Sequence, residues 1–497
     1  MKLRVESSEF RVSEVGGLGR ALALTLLLCP ILTGCERRAA TPVSKQPAPA
    51  NSETASPKKP TPAEKQAAVV AAPDARPPDL APPLPADARF TLRLTTWSRA
   101  SVEVQTADGQ KLTGRTPWTR KLAAGTTRVT ISRRRHRPRT HTLILRQDTE
   151  LQLCLDPTDQ LVRCRRMISC GMGPKGALLD RDGGKVWVAN LHSSPGVQVF
   201  DTTSGRRLAG IAPNRRGAVE LEYSADGRRV YFSQIATNQV HEVERATYKV
   251  LRSFATKGAM SKVIRAAADG KSLFVSNWMS NNVSQIDLGT GEVLRRMPVK
   301  TTPRGMYATP DGKHLYVVTF KEGELHKIDL ATGKKKVIFT KGRTLRHIVG
   351  DRKDRTLYIS DMYLNCIFAL DRATDRVRRL ARTGRYPNTI ALGPDDRVLY
   401  VSNRGSHKKG DYRKPGPRWG SVLLLDTATG KVLDAVVGGN QPTALDISDD
   451  GKVLVFSDFL DHRLRIYDVP AYEVLAAGGG GRAESHKREL AKRNYTP

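Results

Sequence analysis

The sequence predicts an all-β protein, and three observations carry that prediction. Short runs of alternating apolar and polar residues recur from residue 90 onward, with Gly, Asp and Pro between them. Two turn signatures return seven times at near-constant intervals through the last two thirds of the chain. No apolar run reaches the ~20 residues that a membrane-spanning helix needs. In chain order these features predict an export signal, a spacer, a small β-sandwich and a seven-bladed β-propeller.

Composition bounds the function. The 497 residues carry 82 Lys and Arg against 49 Asp and Glu, a formal net charge of +33. Such an excess favours anionic partners or surfaces and says little about fold. At 39 % hydrophobic, the chain falls below the usual apolar share, so a polar portion accompanies the folded domains. A polytopic membrane protein, a coiled coil, a collagen and a cysteine-stapled mini-protein are excluded.

The first element is an address. Residues 21–32 are apolar and follow Arg20, the length of a signal-peptide core and too short to span a bilayer. They run into Leu32-Thr33-Gly34-Cys35, which resembles a bacterial lipobox. The resemblance implies that residues 1–34 are removed and that Cys35 carries lipid, an acyl pair sufficient for firm membrane attachment. Glu36, where inner-membrane retention often uses Asp, favours the outer membrane. Export leaves Cys154, Cys164, Cys170 and Cys366 in an oxidising compartment, with three possible pairings. Cys154 and Cys164 flank a Pro-Thr-Asp-Gln turn and are the candidate disulfide; buried free thiols are the alternative. C-x-x-C, C-x-x-C-H and H-E-x-x-H spacings do not occur, so the sequence implies no cofactor and no metal.

The second element, residues 35–87, is a spacer. Its last 52 residues hold 12 Pro and 13 Ala, a composition that cannot bury apolar surface and predicts an extended, disordered segment. The third, residues 88–156, predicts strands at 90–94, 101–105, 128–132, 142–146 and 151–155. Within it, Leu112-Thr113-Gly114-Arg115-Thr116-Pro117-Trp118, followed by Leu122-Ala123-Ala124-Gly125, resembles the PEGA module, a small β-sandwich. Where that family has a Gly-Tyr turn, this chain has Arg133, Arg134, Arg135, Arg137 and Arg139 within seven residues. They form either a patch for acidic glycans or lipid head groups, or a solvated hairpin tip.

The fourth element, residues 160–478, repeats. One turn column runs Asp182, Asp226, Asp269, Asp311, Lys353, Asp395 and Asp450, at intervals of 44, 43, 42, 42, 42 and 55. A second runs Asp201, Glu244, Asp287, Asp329, Asp371, Asp426 and Asp468, in three units as D-x-x-T-G. Both jump at the sixth unit, so about 13 residues are inserted within 405–420. Each unit reads as four strands; the fourth has them at 305–308, 315–318, 324–328 and 335–339. Seven such units make a propeller. Leu315-Tyr316-Val317-Val318-Thr319 and Leu399-Tyr400-Val401-Ser402-Asn403 resemble the namesake strand of the YVTN propeller family. That resemblance implies fold, because propellers host unrelated activities. Residues 161–169 look like a further fourth strand that closes the ring, with 472–476 competing for the place. Residues 479–497 read as a basic tail.

The register of the repeats locates a face. The residue after the start of each innermost strand is Lys175, Val219, Lys262, Arg304, Arg346, Asn388 and Thr443. Four are basic and should gather at one mouth of the channel. The residue opening the loop after each second strand is Leu191, Ile235, Trp278, Phe320, Met362, Arg404 and Phe459, six of them apolar. Either these pack between blades, or they rim a concave site over a cationic floor. The insertion adds five basic residues with Tyr412 and Trp419, on a loop that either carries function or is a tolerated excursion. No G-x-S-x-G elbow, P-loop or paired metal-ligand spacing appears.

The expectation is therefore an exported, lipid-anchored envelope protein with a non-catalytic binding or scaffold role. Its partners would be the membrane, through the anchor, and an anionic polysaccharide, peptidoglycan or envelope protein, not intracellular nucleic acid. The competing expectation is a propeller enzyme of lactonase or quinoprotein type. Carboxylates or histidines converging in the channel would favour the enzyme; Lys, Arg and Asn would favour binding.

Overall fold

The computed structural model describes residues 69–71, 85, 87–408 and 410–491. The signal segment, Cys35 and all of the spacer except 69–71, 85 and 87 lie outside the described residues, as does the end of the tail.

Residues 89–153 form a sandwich of a three-stranded and a four-stranded sheet. Its core is Leu92, Leu94, Val102, Val104, Val129 and Ile131, all at most 2 % exposed. The period-two pattern that predicted these strands is the burial pattern observed, as in Ser101–Gln105. Two further strands, Lys111–Arg115 and Trp118–Ala123, lie in the PEGA-like stretch, to which the sequence assigned no strand. Trp118 folds back against Gly114, where a side chain would collide with the indole.

Among the described residues the propeller has seven antiparallel sheets, one per blade; six are four-stranded, the first carries a fifth strand, and the seventh is completed from elsewhere in the chain. The fourth blade comprises Pro303–Ala308, His314–Thr319, Leu325–Asp329 and Lys335–Phe339, within two residues of the expected strands. Second strands are buried on both faces because neighbouring blades sandwich them; Ser272–Asn277 and Val398–Asn403 are buried throughout. The apolar clusters accordingly span pairs of blades, for example Tyr316 and Val318 of the fourth against Ile348 and Ile359 of the fifth. Burying each such side chain contributes roughly 1.5–3 kcal/mol.

The turn columns have the chemistry their residues dictate. Asp329 Oδ1 accepts from the N–H groups of Ala331 (3.0 Å) and Thr332 (2.7 Å) and from the Thr332 hydroxyl (2.8 Å). Those bonds hold its carboxyl below the usual range, and Gly333 follows at φ 73°. In the fifth blade Asp375 takes that glycine position, at φ 54°.

Arg163–Ser169 pairs antiparallel with Arg463–Asp468 and completes the seventh blade. A strand from before the first blade thus ties the two ends of the ring together. The competing segment is helical, Tyr472–Ala477, because Glu, Leu and two Ala favour helix there; its Leu475 is buried.

Three further details differ from the sequence reading. The spacer contributes a strand, Val69–Ala71, whose backbone pairs with the outer strand of the first blade, Arg207–Ile211. Part of the tail is the helix Gly481–Ala491, whose Arg482 is 2 % exposed and donates to the Ala435 carbonyl (3.0 Å). The arginine cluster is divided: Arg133, Arg134 and Arg135 are exposed, whereas Arg137 donates to the Thr158 carbonyl (2.6 Å) and Arg139 to the carbonyls of Cys164 and Arg165. These last two cap carbonyls where the sandwich meets the closing strand. Cys154 and Cys164 are disulfide-bonded at the same junction, Cα–Cα 6.2 Å, while Cys170 and Cys366 are free thiols.

Candidate functional site

All seven residues of the inner-strand column line one constriction of the channel: Lys175, Val219, Lys262, Arg304, Arg346, Asn388 and Thr443. A repeated backbone clamp sets this geometry. In six of the seven blades the N–H of the residue following the second strand donates to the carbonyl just before the inner strand: Leu191 to Gly173, Trp278 to Met260, Phe320 to Thr302, Met362 to Thr344, Arg404 to Tyr386 and Phe459 to Gln441, all within 2.8–3.1 Å. Met260, Thr302, Tyr386 and Gln441 take positive φ to make the turn, between 55° and 62°, a conformation costly for side chains other than glycine. Each clamp holds a large side chain two residues from a column residue.

The cations therefore lie on aromatic rings. Lys262 Nζ is 3.5 Å from the Trp278 ring centroid and Arg304 Cζ 5.1 Å from it. Arg346 lies 5.5 Å from Phe320, and Lys175 5.1 Å from Phe459. Trp278 and Phe320 touch at 4.8 Å. Each contact of this kind is worth about 0.5–2 kcal/mol, more as it is desolvated. Arg346 also donates to Asn388, whose amide donates to the Thr443 carbonyl (2.9 Å).

The rim is not an open stacking surface. Trp278 is 7 % exposed and Phe459 1 %, while Lys262 itself is 1 % exposed. The rings pack against the cations and between blades, so the mouth is a narrow positively lined constriction. Trp419 is also committed: its ring lies 4.3 Å from that of Trp97 in the sandwich. The insertion forms the hairpin His407–Lys408 and Asp411–Pro415, with Tyr412 buried and its carbonyl accepting from Gln441.

Beyond the constriction the channel widens and becomes acidic. Glu220, Glu222, Arg265, His347 and Asp446 line it. Burial pushes the Glu220 carboxyl up to about 7, and likewise that of Asp446. Burial and the neighbouring Arg265, Arg304 and Arg346 push His347 down to about 3. Glu222 is ion-paired with Arg265 at 2.6 Å. The inner-strand column alone does not include these groups. They stand one and three residues further along the same inner strands, so the repeat register already contained them.

Comparison with known proteins agrees with this architecture. A family model described as a YNCE-like β-propeller matches residues 236–340, the stretch that carries Lys262, Trp278, Arg304 and Phe320. Over that stretch the chain resembles this propeller family. Antigen Lp49 of Leptospira interrogans serogroup Icterohaemorrhagiae serovar copenhageni (strain Fiocruz L1-130) is 47 % identical over 62 residues, 12 % of this chain and 14 % of the antigen. The chain thus spans about a seventh of that relative's length. Hydrazine synthase of Kuenenia stuttgartiensis superposes with a TM-score of 0.50 at 20 % identity, over 60 % of this chain and 96 % of the other. That likeness concerns fold alone.

Proposed function

We propose that this is a non-catalytic binding propeller of the bacterial envelope, exported and lipid-anchored at Cys35, that captures an anionic polymer or an acidic segment of an envelope protein at the channel mouth. The observation that carries the reading is the convergence of Lys175, Lys262, Arg304 and Arg346 on one constriction. Low-dielectric walls focus such a field and draw anions in. The narrowness suits a single carboxylated or phosphorylated strand end. The relative that shares 62 residues is named an antigen, which fits an exposed envelope protein.

The test is capture of purified envelope polysaccharide, peptidoglycan and surface proteins by the unlipidated chain at low and high salt. Binding that weakens with salt supports the proposal; salt-independent binding, or none, removes it.

One observation favours a hydrolase instead. Glu220, held near 7, is suited to general acid–base work beside the channel constriction. Turnover of a lactone or aryl ester, abolished by Glu220→Gln, would establish that reading.

A further inference from the structure

A second cationic site lies away from the channel, between the sandwich and the propeller. This cleft of about 1040 Å³ is lined by Arg139, Arg165, Arg166, Arg206 and Arg207, with Glu150 the one acidic residue among the described residues that line it. Burial, Arg139 and Arg166 together push His141 in its wall down to about 4. His141 Nε2 and Gln152 Oε1 are buried there without a hydrogen-bond partner among the described residues.

The walls are strand edges. Arg139–Leu145 and Thr149–Leu153 are each last in their sheet, and among the described residues Arg163–Ser169 pairs only with Arg463–Asp468. The Cys170 N–H donates to the His462 carbonyl (2.9 Å). By the two-residue alternation of an antiparallel ladder, Met167 and Ser169 then turn their N–H and C=O groups outward, into the cleft. The adjoining edge shows what such a strand accepts: Arg207–Ile211 is extended by Val69–Ala71 from the spacer.

We propose that the cleft binds an extended acidic peptide, which adds a strand to the outer edge of Arg163–Ser169 and places alternate carboxylates against Arg166, Arg206 and Arg207. Main-chain bonds supply the affinity and the arginines the preference for acidic sequence. A sulfated or carboxylated glycan would meet the same charge but cannot complete the ladder.

The test uses the intact oxidised chain and three probes: an acetylated, amidated Glu-Val-Glu-Val-Glu-Val-Glu peptide, its Lys-for-Glu counterpart, and dextran sulfate. Fluorescence anisotropy should show binding of the acidic peptide and none of the basic one. Hydrogen exchange should slow at the Met167 and Ser169 amides when the acidic peptide binds. Arg206→Gln with Arg207→Gln, the first exposed and the second half-buried, should weaken it about tenfold. Unchanged exchange at those amides, equal binding of both peptides, unchanged affinity in the double variant, or capture of dextran sulfate alone would each overturn the proposal.

Discussion

Lys262 and Trp278 are held 16 residues apart in sequence and 3.5 Å apart in space, ammonium over indole. The backbone bond from Trp278 N–H to the Met260 carbonyl (3.1 Å) makes that approach obligatory. The same clamp recurs at Phe320, bonded to the Thr302 carbonyl (3.0 Å), and there the ring serves Arg346, the cation of the next blade. The positive mouth is thus a product of the repeat, and its charges are held by rings that also cement neighbouring blades.

Replacing Trp278 with Leu removes the ring shared by Lys262 and Arg304 while keeping an apolar side chain between blades. Stability should fall by roughly 2–4 kcal/mol, from the lost packing and two cation–ring contacts. Thermal or urea unfolding measures it. A loss under about 0.5 kcal/mol would mean that the ring is a passive filler.

The Cys154–Cys164 bond closes a short loop between the sandwich and the closing strand. Chain entropy assigns such a loop about 3 kcal/mol. Reduction, or Cys154→Ser with Cys164→Ser, should lower the melting temperature and expose the 155–163 connection to protease first. Identical melting of the reduced and oxidised forms would contradict this.

The channel carboxyls predict a pH trend. Glu220 and Asp446 hold their protons up to about 7 in the folded chain, against ~4 when unfolded. The folded state binds more protons in that window, so stability falls as pH rises from about 4 to about 7. His347, held near 3, acts oppositely, and its share is lost as pH falls below the ordinary histidine value. Glu220→Gln should therefore shrink the drop in melting temperature between pH ~5 and pH ~8. An unchanged drop would show that Glu220 titrates normally.

Much of this was legible in the sequence. The turn columns gave the blade count and the insertion point because an Asp that caps a turn and a Gly at positive φ cannot be exchanged freely for other residues. The inner-strand column was legible for the same reason: a fixed register fixes which side chains meet. Whether the aromatics stood free or packed was not legible, because that depends on the clamp at Met260, Thr302 and Tyr386, whose positive φ no residue type there announces. Nor was the division of the arginine cluster, since Arg137 finds its acceptor in the connection to the propeller and Arg139 on the closing strand. The ring pair Trp97–Trp419 was hidden likewise, 322 residues apart.

That pair makes the insertion a strut between domains. Trp97→Ala, Trp419→Ala and the double variant should give a coupling of about 0.5–1.5 kcal/mol in a double-mutant cycle. Additive effects would return the insertion to a free surface loop.

The channel mouth carries the proposed binding site. Lys262→Gln, Arg304→Gln and Arg346→Gln combined, compared with the parent chain by titration calorimetry against polygalacturonate at about 50 and about 300 mM salt, tests it. Circular dichroism and melting curves establish that the variant keeps the ring. The parent should bind at low salt and lose affinity at high salt, and the folded variant should bind at least about tenfold more weakly. A folded variant that binds as the parent does, at both salt concentrations, would contradict the assignment of the channel mouth as the binding site.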